Sequence, residues 1–117
     1  MADLTQKHCV PCEAGTPPLT GEQAEAMMAQ VPGWTLEDNT LSRSFKFRDF
    51  KEAMAFVNRI ADLAEEEGHH PDIHISWNKV RLDLTTHAIH GLSENDFIMA
   101  AKIDLIALQS GAQTRKQ

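Results

Sequence analysis

Asp49 to Leu84, DFKEAMAFVNRIADLAEEEGHHPDIHISWNKVRLDL, carries a helix signal, a stop and two strand signals in immediate succession. Asp49 and Glu52 stand at the spacing of a capping box, in which each side chain satisfies a helix-end amide. Phe50, Ala53, Met54, Val57, Ile60, Ala61 and Ala64 then recur at three- and four-residue intervals, the stripe of an amphipathic helix. Gly68 and Pro71 end it, since proline has no amide proton to continue the ladder. Glu65, Glu66 and Glu67 crowd the helix C-terminus, where negative charge opposes the macrodipole. Something other than helix propensity keeps acid there.

Beyond the stop the period changes from 3.6 to 2. Ile73, Ile75 and Trp77 alternate with His74 and Ser76, and Val80, Leu82 and Leu84 alternate with Arg81, Asp83 and Thr85. Asn78-Lys79 is the expected turn between them. Each strand is expected to bury one face and wet the other, as in an antiparallel sheet covered on one side.

The flanks repeat the pattern. Upstream, Thr20 and Gln23 offer a capping box for a helix with Ala24, Met27, Met28 and Val31 inward, stopped by Pro32-Gly33. Trp34 and Leu36 open an extended stretch, and Glu37-Asp38-Asn39 turns it into Leu41–Phe47, whose odd positions are mostly apolar. Arg43 interrupts that alternation, so the start of the strand is expected to be less buried. Downstream, Ser93 and Asp96 cap a last helix with Phe97, Ile98, Ala101, Leu105 and Leu108 as its stripe. The order αββαββα predicts an α+β fold: a single layer pair, a four-stranded antiparallel sheet with three helices on one face. Residues 1–18 are expected to be a flexible N-terminal arm, residues 19–110 the folded domain and residues 111–117 a frayed tail.

The chain has 117 residues, enough for one core, and its 42% hydrophobic and 24% charged composition is that of a folded globular protein. A net charge of −6 argues against nucleic acid as a direct partner. No apolar run reaches membrane-spanning length and the N-terminus has no signal-peptide core, so a cytoplasmic location is expected. Cys9 and Cys12, with His8 beside them, are half a zinc or redox motif. No second cysteine pair completes a four-ligand set, and a reduced tail is the expectation.

Five of the six histidines lie between His69 and His90. Imidazole titrates closest to neutrality, so such a cluster suits general acid–base work. His69 and His70 sit between a helix and a strand. His87 follows the second strand of the hairpin, which should return it to their level. His74 and His90 read more simply as surface and loop residues. A metal site is the competing reading, but HExxH or Cys/His spacing is missing. On its own, Asp96 is accounted for as a capping residue and Glu65 as a solvated carboxylate.

Taken together, Glu65, His69-His70-Pro71, Trp77-Asn78-Lys79-Val80, Thr86-His87, Gly91-Leu92-Ser93-Glu94 and Asp96 resemble the signature of the pterin-4a-carbinolamine dehydratases. Pro32-Gly33-Trp34 and Phe45-Lys46-Phe47 are similar to that family's first hairpin, and the likeness spans about residues 19 to 108. Two features depart from it: Ile73 where many relatives have an aromatic, and the Cys9–Cys12 arm. The resemblance implies a hydro-lyase that converts 4a-hydroxytetrahydropterin to quinonoid dihydropterin and water, recycling the pterin of aromatic amino-acid hydroxylases. It implies His69, His70 and His87 as catalytic residues, Glu65 and Asp96 as supporting acids, and Trp34, Pro71 and Thr86 at the substrate site, with no metal and no cofactor. It further implies a homodimer or homotetramer and a functional link to a hydroxylase. The alternative is a non-catalytic oligomeric binding module, or a transcriptional cofactor as in one animal branch of the family.

Overall fold

The computed structural model describes residues 4–9 and 17–109. Helix α1 (Gly21–Met28) is followed by β1 (Thr35–Glu37), β2 (Thr40–Lys46), α2 (Phe50–Glu67), β3 (Asp72–Ser76), β4 (Lys79–Leu84) and α3 (Glu94–Gln109). Short 3-10 turns occupy Leu4–Gln6 and His87–Ile89. The four strands form one antiparallel sheet in the order β1-β2-β4-β3. The α+β order αββαββα expected from the sequence is the order observed.

Local chemistry explains where the helices begin. The Gln23 amide donates to Thr20 Oγ1 at 3.1 Å and the Thr20 amide donates to Gln23 Oε1 at 2.9 Å, a complete capping box for α1. Asp49 caps α2 by accepting from the Glu52 amide at 2.9 Å. The Glu52 carboxylate accepts from the Arg48 amide at 3.0 Å, one residue earlier than the reciprocal box would have it. Gly68 closes α2 in the left-handed region, at φ 68°, where a side chain is disfavoured.

One face of the sheet is covered. Leu41 and Phe45 of β2 and Val80, Leu82 and Leu84 of β4 are buried, packed with Ala53, Phe56 and Ile60 of α2 and Phe97, Ala100 and Ile103 of α3. Phe56 sits between Phe45 and Phe47, with ring centroids 5.1 and 4.9 Å away. The intervening residues Ser44 and Arg81 are exposed on the other face.

Five expectations shift. On α2, Phe50 and Ala61 are exposed, and Phe56 and Leu63 are buried beside Ala53, Ile60 and Ala64. Arg43 does not loosen the start of β2, because Leu41 is wholly buried. The guanidinium instead donates to Asp104 Oδ1 at 2.9 Å and lies 4.9 Å over the Phe45 ring, so charge and apolar face are both satisfied. It also passes so close to the backbone that a Cβ at position 33 would stand 2.3 Å from Arg43 Nη1, so a side chain there would require the guanidinium to move. The β3–β4 turn is Trp77-Asn78, since Ser76 pairs with Lys79. Asn78 is drawn inward: its side-chain amide donates to the Phe47 carbonyl at 2.9 Å and its own carbonyl accepts from the Phe47 amide at 2.8 Å. Ile75 and Trp77 are exposed rather than buried, because β3 is an edge strand that the helices do not cover. On α3, Leu105 and Leu108 face outward, and Met99, Ala100, Ile103 and Ala107 hold the buried positions.

Within the segment expected as an arm, residues 4–9 rest on the domain. Leu4 is buried in the core cluster and Cys9 packs partly against it as a free thiol. Cys12, and the tail from residue 110, lie outside the described residues.

Candidate active site

Three chain segments meet at the C-terminal end of α2. The first is the α2–β3 connection. With Gly68 left-handed, the His69 amide still donates to the Ala64 carbonyl at 3.3 Å, so the chain leaves the helix in a fixed direction. Pro71 is buried and starts the run into β3. The second is the loop after β4, pinched by a bridge between Thr86 and Gly91 with the Thr86 amide donating to the Gly91 carbonyl at 3.0 Å. The third is the first turn of α3.

Asp96 ties the three together. Its Oδ1 lies 2.6 Å from His69 Nε2, and its Oδ2 accepts from the Thr86 hydroxyl at 2.8 Å and the Ser93 amide at 2.9 Å. The side chain is fully buried, and His69 keeps 12% of its side chain exposed. With Thr86 donating its single hydroxyl proton to the carboxylate, the 2.8 Å contact between Thr86 and Ser93 must have Ser93 as donor. A carboxylate accepts only, so His69 Nε2 is the donor in this contact and Nδ1 is the ring nitrogen that Asp96 does not engage. The capping interaction read from the sequence is therefore present in part: Asp96 returns to the Ser93 backbone while the Ser93 hydroxyl goes to Thr86. That accounts for one carboxylate oxygen; the other holds the histidine.

A second pair stands at the surface. His70 Nε2 is 2.6 Å from Glu65 Oε2, with both side chains more than half exposed. Such a pair contributes little to stability, about 0–1 kcal/mol. The contact orients an imidazole that is open to solvent. His87 is exposed in its 3-10 turn, one residue beyond Thr86. His69 and His70 are thus each joined to a carboxylate, and His87 adjoins the same network through its chain neighbour.

The other histidines lie elsewhere. His74 is 3.1 Å from Asp83 on the open side of the sheet, with Ser42 and Arg81 also donating to that carboxylate. Burial opposes the charge of Asp83, but those hydrogen bonds prevail and its pKa is lowered. His90 closes the loop with a left-handed backbone. Trp34 is 4% exposed and donates its indole N–H to Asp104 at 2.9 Å. Asp104 stands eight residues after Asp96, which on one helix is about 12 Å along the axis. Burial raises the pKa of Asp104 against the opposing pull of Trp34 and Arg43. Trp34 is thus a core residue in this structure, apart from the histidines.

Sequence reasoning did not single out Glu67. Its side chain is 1% exposed and bound on three sides: Lys102 Nζ donates to Oε2 at 2.6 Å, His8 Nδ1 lies 3.0 Å from the same oxygen, and the Cys9 amide donates to Oε1 at 2.8 Å. Burial disfavours its charge, but the hydrogen bonds from Lys102, Cys9 and His8 outweigh that and hold the carboxyl down at about 2. Burial, then the neighbouring Glu67 charge, push the Cys9 thiol up to about 12, so it stays protonated at neutral pH. The crowding of acid against the helix dipole was the visible signal for Glu67.

Because Glu67 has a depressed folded-state pKa, its contribution is fully present above the ordinary carboxyl value of 4.5 and is lost as pH falls towards about 2. In thermal melts across that window the parent protein is expected to lose stability more steeply than Glu67→Gln, by on the order of 2 kcal/mol. Parallel acid limbs would contradict this assignment.

Among the described residues no group of three or more His, Cys, Asp or Glu side chains is arranged to hold a metal ion, and no helix is long and apolar enough to cross a membrane.

A buried carboxylate hydrogen-bonded to an imidazole, with a second carboxylate–imidazole pair at the surface, is an arrangement able to give and take protons. The chain belongs to the pterin 4 alpha carbinolamine dehydratase family, whose sequence model matches residues 17–106. It is 50% identical over 105 residues to a Rubrobacter xylanophilus protein named "Putative pterin-4-alpha-carbinolamine dehydratase", covering 89% of this chain and 98% of that one. A Methylococcus capsulatus protein of the same name is 50% identical over 109 residues, 92% of this chain and 96% of the relative. Among solved structures, a transcriptional coactivator/pterin dehydratase from Brucella Melitensis superposes with a TM-score of 0.73 at 36% identity, covering 77% of this chain and 98% of that one. A pterin dehydratase-like protein identified as a RuBisCO assembly factor in the alpha-carboxysome matches with a TM-score of 0.54 at 28% identity, over 63% of this chain and 86% of its own.

Proposed function

We propose that this protein dehydrates 4a-hydroxytetrahydropterin to quinonoid dihydropterin and water, with His69 as general base and the general acid drawn from His70 and His87. The observation that carries this reading is the buried Asp96–His69 pair in a chain of this family. The reaction breaks the C4a–O bond and the N5–H bond and forms the C4a=N5 double bond. One proton goes to the departing hydroxyl, which leaves as water, and one is taken from N5. Neither step changes the oxidation state, so two protein groups suffice. His69 Nδ1 is free to accept the N5 proton, and the Asp96 carboxylate stabilises the imidazolium that forms. Glu65 orients His70 beside it, and Pro71 and Thr86 hold the two segments in place.

In the cell this activity would recycle the pterin of aromatic amino-acid hydroxylases, in the cytoplasm. Assembly into dimers or tetramers would use the exposed edge strand β3 with Ile75 and Trp77, and the outward Leu105 and Leu108 of α3.

The direct test generates the 4a-hydroxypterin with a hydroxylase and follows its decay with and without this protein. Faster decay, unchanged by a chelator, is expected; decay at the spontaneous rate would reject the proposal. A second reading, a scaffold that assembles other proteins without turnover, is favoured by the relative identified as a RuBisCO assembly factor. It predicts that substitutions at His69 leave function intact.

A further inference from the structure

The first described residues, Leu4 to Cys9, touch the molecule only a residue or two away from His69 and Asp96. The Lys7 ammonium donates to Glu94, and the Cys9 thiol donates to the Asn95 carbonyl at 3.7 Å. Glu94 and Asn95 immediately precede Asp96. At the other end of the pair, the Cys9 amide and His8 bind Glu67, which precedes His69 by two residues. Lys102 of α3 completes the clamp on Glu67 at 2.6 Å. Leu4, 2% exposed, anchors the segment in the core. The same six-residue stretch thus clips the last turn of α2, two residues before the imidazole, to the first turn of α3, which carries its carboxylate.

We infer that Leu4–Cys9, together with Glu67 and Lys102, is a positioning strap that sets the distance and orientation of the His69–Asp96 pair. The strap does not touch the reacting atoms. It acts because a 2.6 Å contact between a side chain just beyond the end of α2 and one in the first turn of α3 is only as constant as the spacing of those two helix ends. Burial makes the clamp costly to leave half made: a carboxylate that is 1% exposed and an ammonium that is 13% exposed must be paired or rearranged. The ends of α2 and α3 are therefore held where those charges meet.

This inference rests on reading His69 and Asp96 as the catalytic pair, so the test has one readout that needs no turnover. Leu4→Ala loosens the anchor, Glu67→Ala removes the clamp, and Glu67→Gln combined with Lys102→Met keeps an acceptor for the Cys9 amide without either charge. Each is assayed for dehydration, and the His69 ring nitrogens are followed by long-range 1H–15N NMR. In Leu4→Ala and Glu67→Ala, kcat is expected to fall about tenfold with KM nearly unchanged, since small misplacements cost rate more than binding. The His69 Nε2 signal should move away from its hydrogen-bonded position in both, and the double variant, which keeps the Cys9 contact and leaves no unpaired charge but lacks the bridge between the helices, should lie between Glu67→Ala and the parent in both readouts. Parent-like kcat and His69 signals in Leu4→Ala and Glu67→Ala would overturn the inference. So would a rise in KM with kcat retained, which would put the strap at the substrate rather than behind the pair. His69→Ala in the same assay separates the two claims. If it is fully active while the strap variants still shift the His69 signal, the catalytic reading fails and the strap stands.

Discussion

Asp96→Asn is expected to lower kcat by about a hundredfold or more while leaving the protein folded, through the tautomer of His69. Both carboxylate oxygens are used as acceptors: Oδ1 by His69, Oδ2 by Thr86 and the Ser93 amide. An asparagine has one acceptor oxygen, so its NH2 must face one of these sides. The Ser93 amide cannot reverse, whereas an imidazole can move its proton from Nε2 to Nδ1 and accept. The amide group therefore turns towards His69, and Nδ1 becomes an N–H that can no longer take a proton from N5. The stability cost should be modest, on the order of 1–2 kcal/mol, because every hydrogen-bonding group still finds a partner. Asp96→Ala would cost more stability, since it leaves a buried hydroxyl and amide unanswered. Progress curves of dehydration, and the ring-nitrogen shifts of His69, check both halves of the argument. An asparagine variant with parent kcat would remove Asp96 from the mechanism.

The features legible in the sequence are those set by nearest neighbours along the chain. The start of α1 follows from Thr20 and Gln23, and the end of α2 from Gly68 and Pro71, because caps and stops act within a turn. The buried face of β4 followed from simple alternation of Val80, Leu82 and Leu84. Burial of β3 was not legible, since Ile75 and Trp77 alternate just as well but lie at the sheet edge, a property of strand order. The inward face of α3 was misjudged at Leu105 and Leu108 because that helix is apolar nearly all round, so periodicity gives no unique phase. For the site, residue types were legible and contacts were not. Asp96 is accounted for locally as a capping residue, while its partner His69 is 27 positions away. Glu67 carried a local warning, acid against the dipole, but its answers, Lys102 and Cys9, lie 35 and 58 positions off. Charge conflicts of this kind point to a distant partner without naming it.

His69→Ala should have the largest effect, lowering kcat by roughly a hundredfold to ten-thousandfold, the usual range for a general base. That corresponds to about 3–5 kcal/mol of barrier. The loss should be purely catalytic. The imidazole is still 12% exposed, so water can occupy the space it vacates and donate to Asp96 Oδ1. Asp96 keeps its contacts with Thr86 and Ser93, which hold the loop and the helix start without His69. A small drop in melting temperature with a collapse in rate is therefore the expected signature. Exogenous imidazole should restore part of the rate, because the cavity is of the right shape and opens to solvent. His70→Ala should cost less, its pair with Glu65 being at the surface, where a buffer acid can stand in. A scaffold that merely binds partners predicts the reverse: assembly and function intact in His69→Ala. Near-parent dehydration in a folded His69→Ala protein would falsify the mechanism, since His69 is the base to which it assigns the N5 proton.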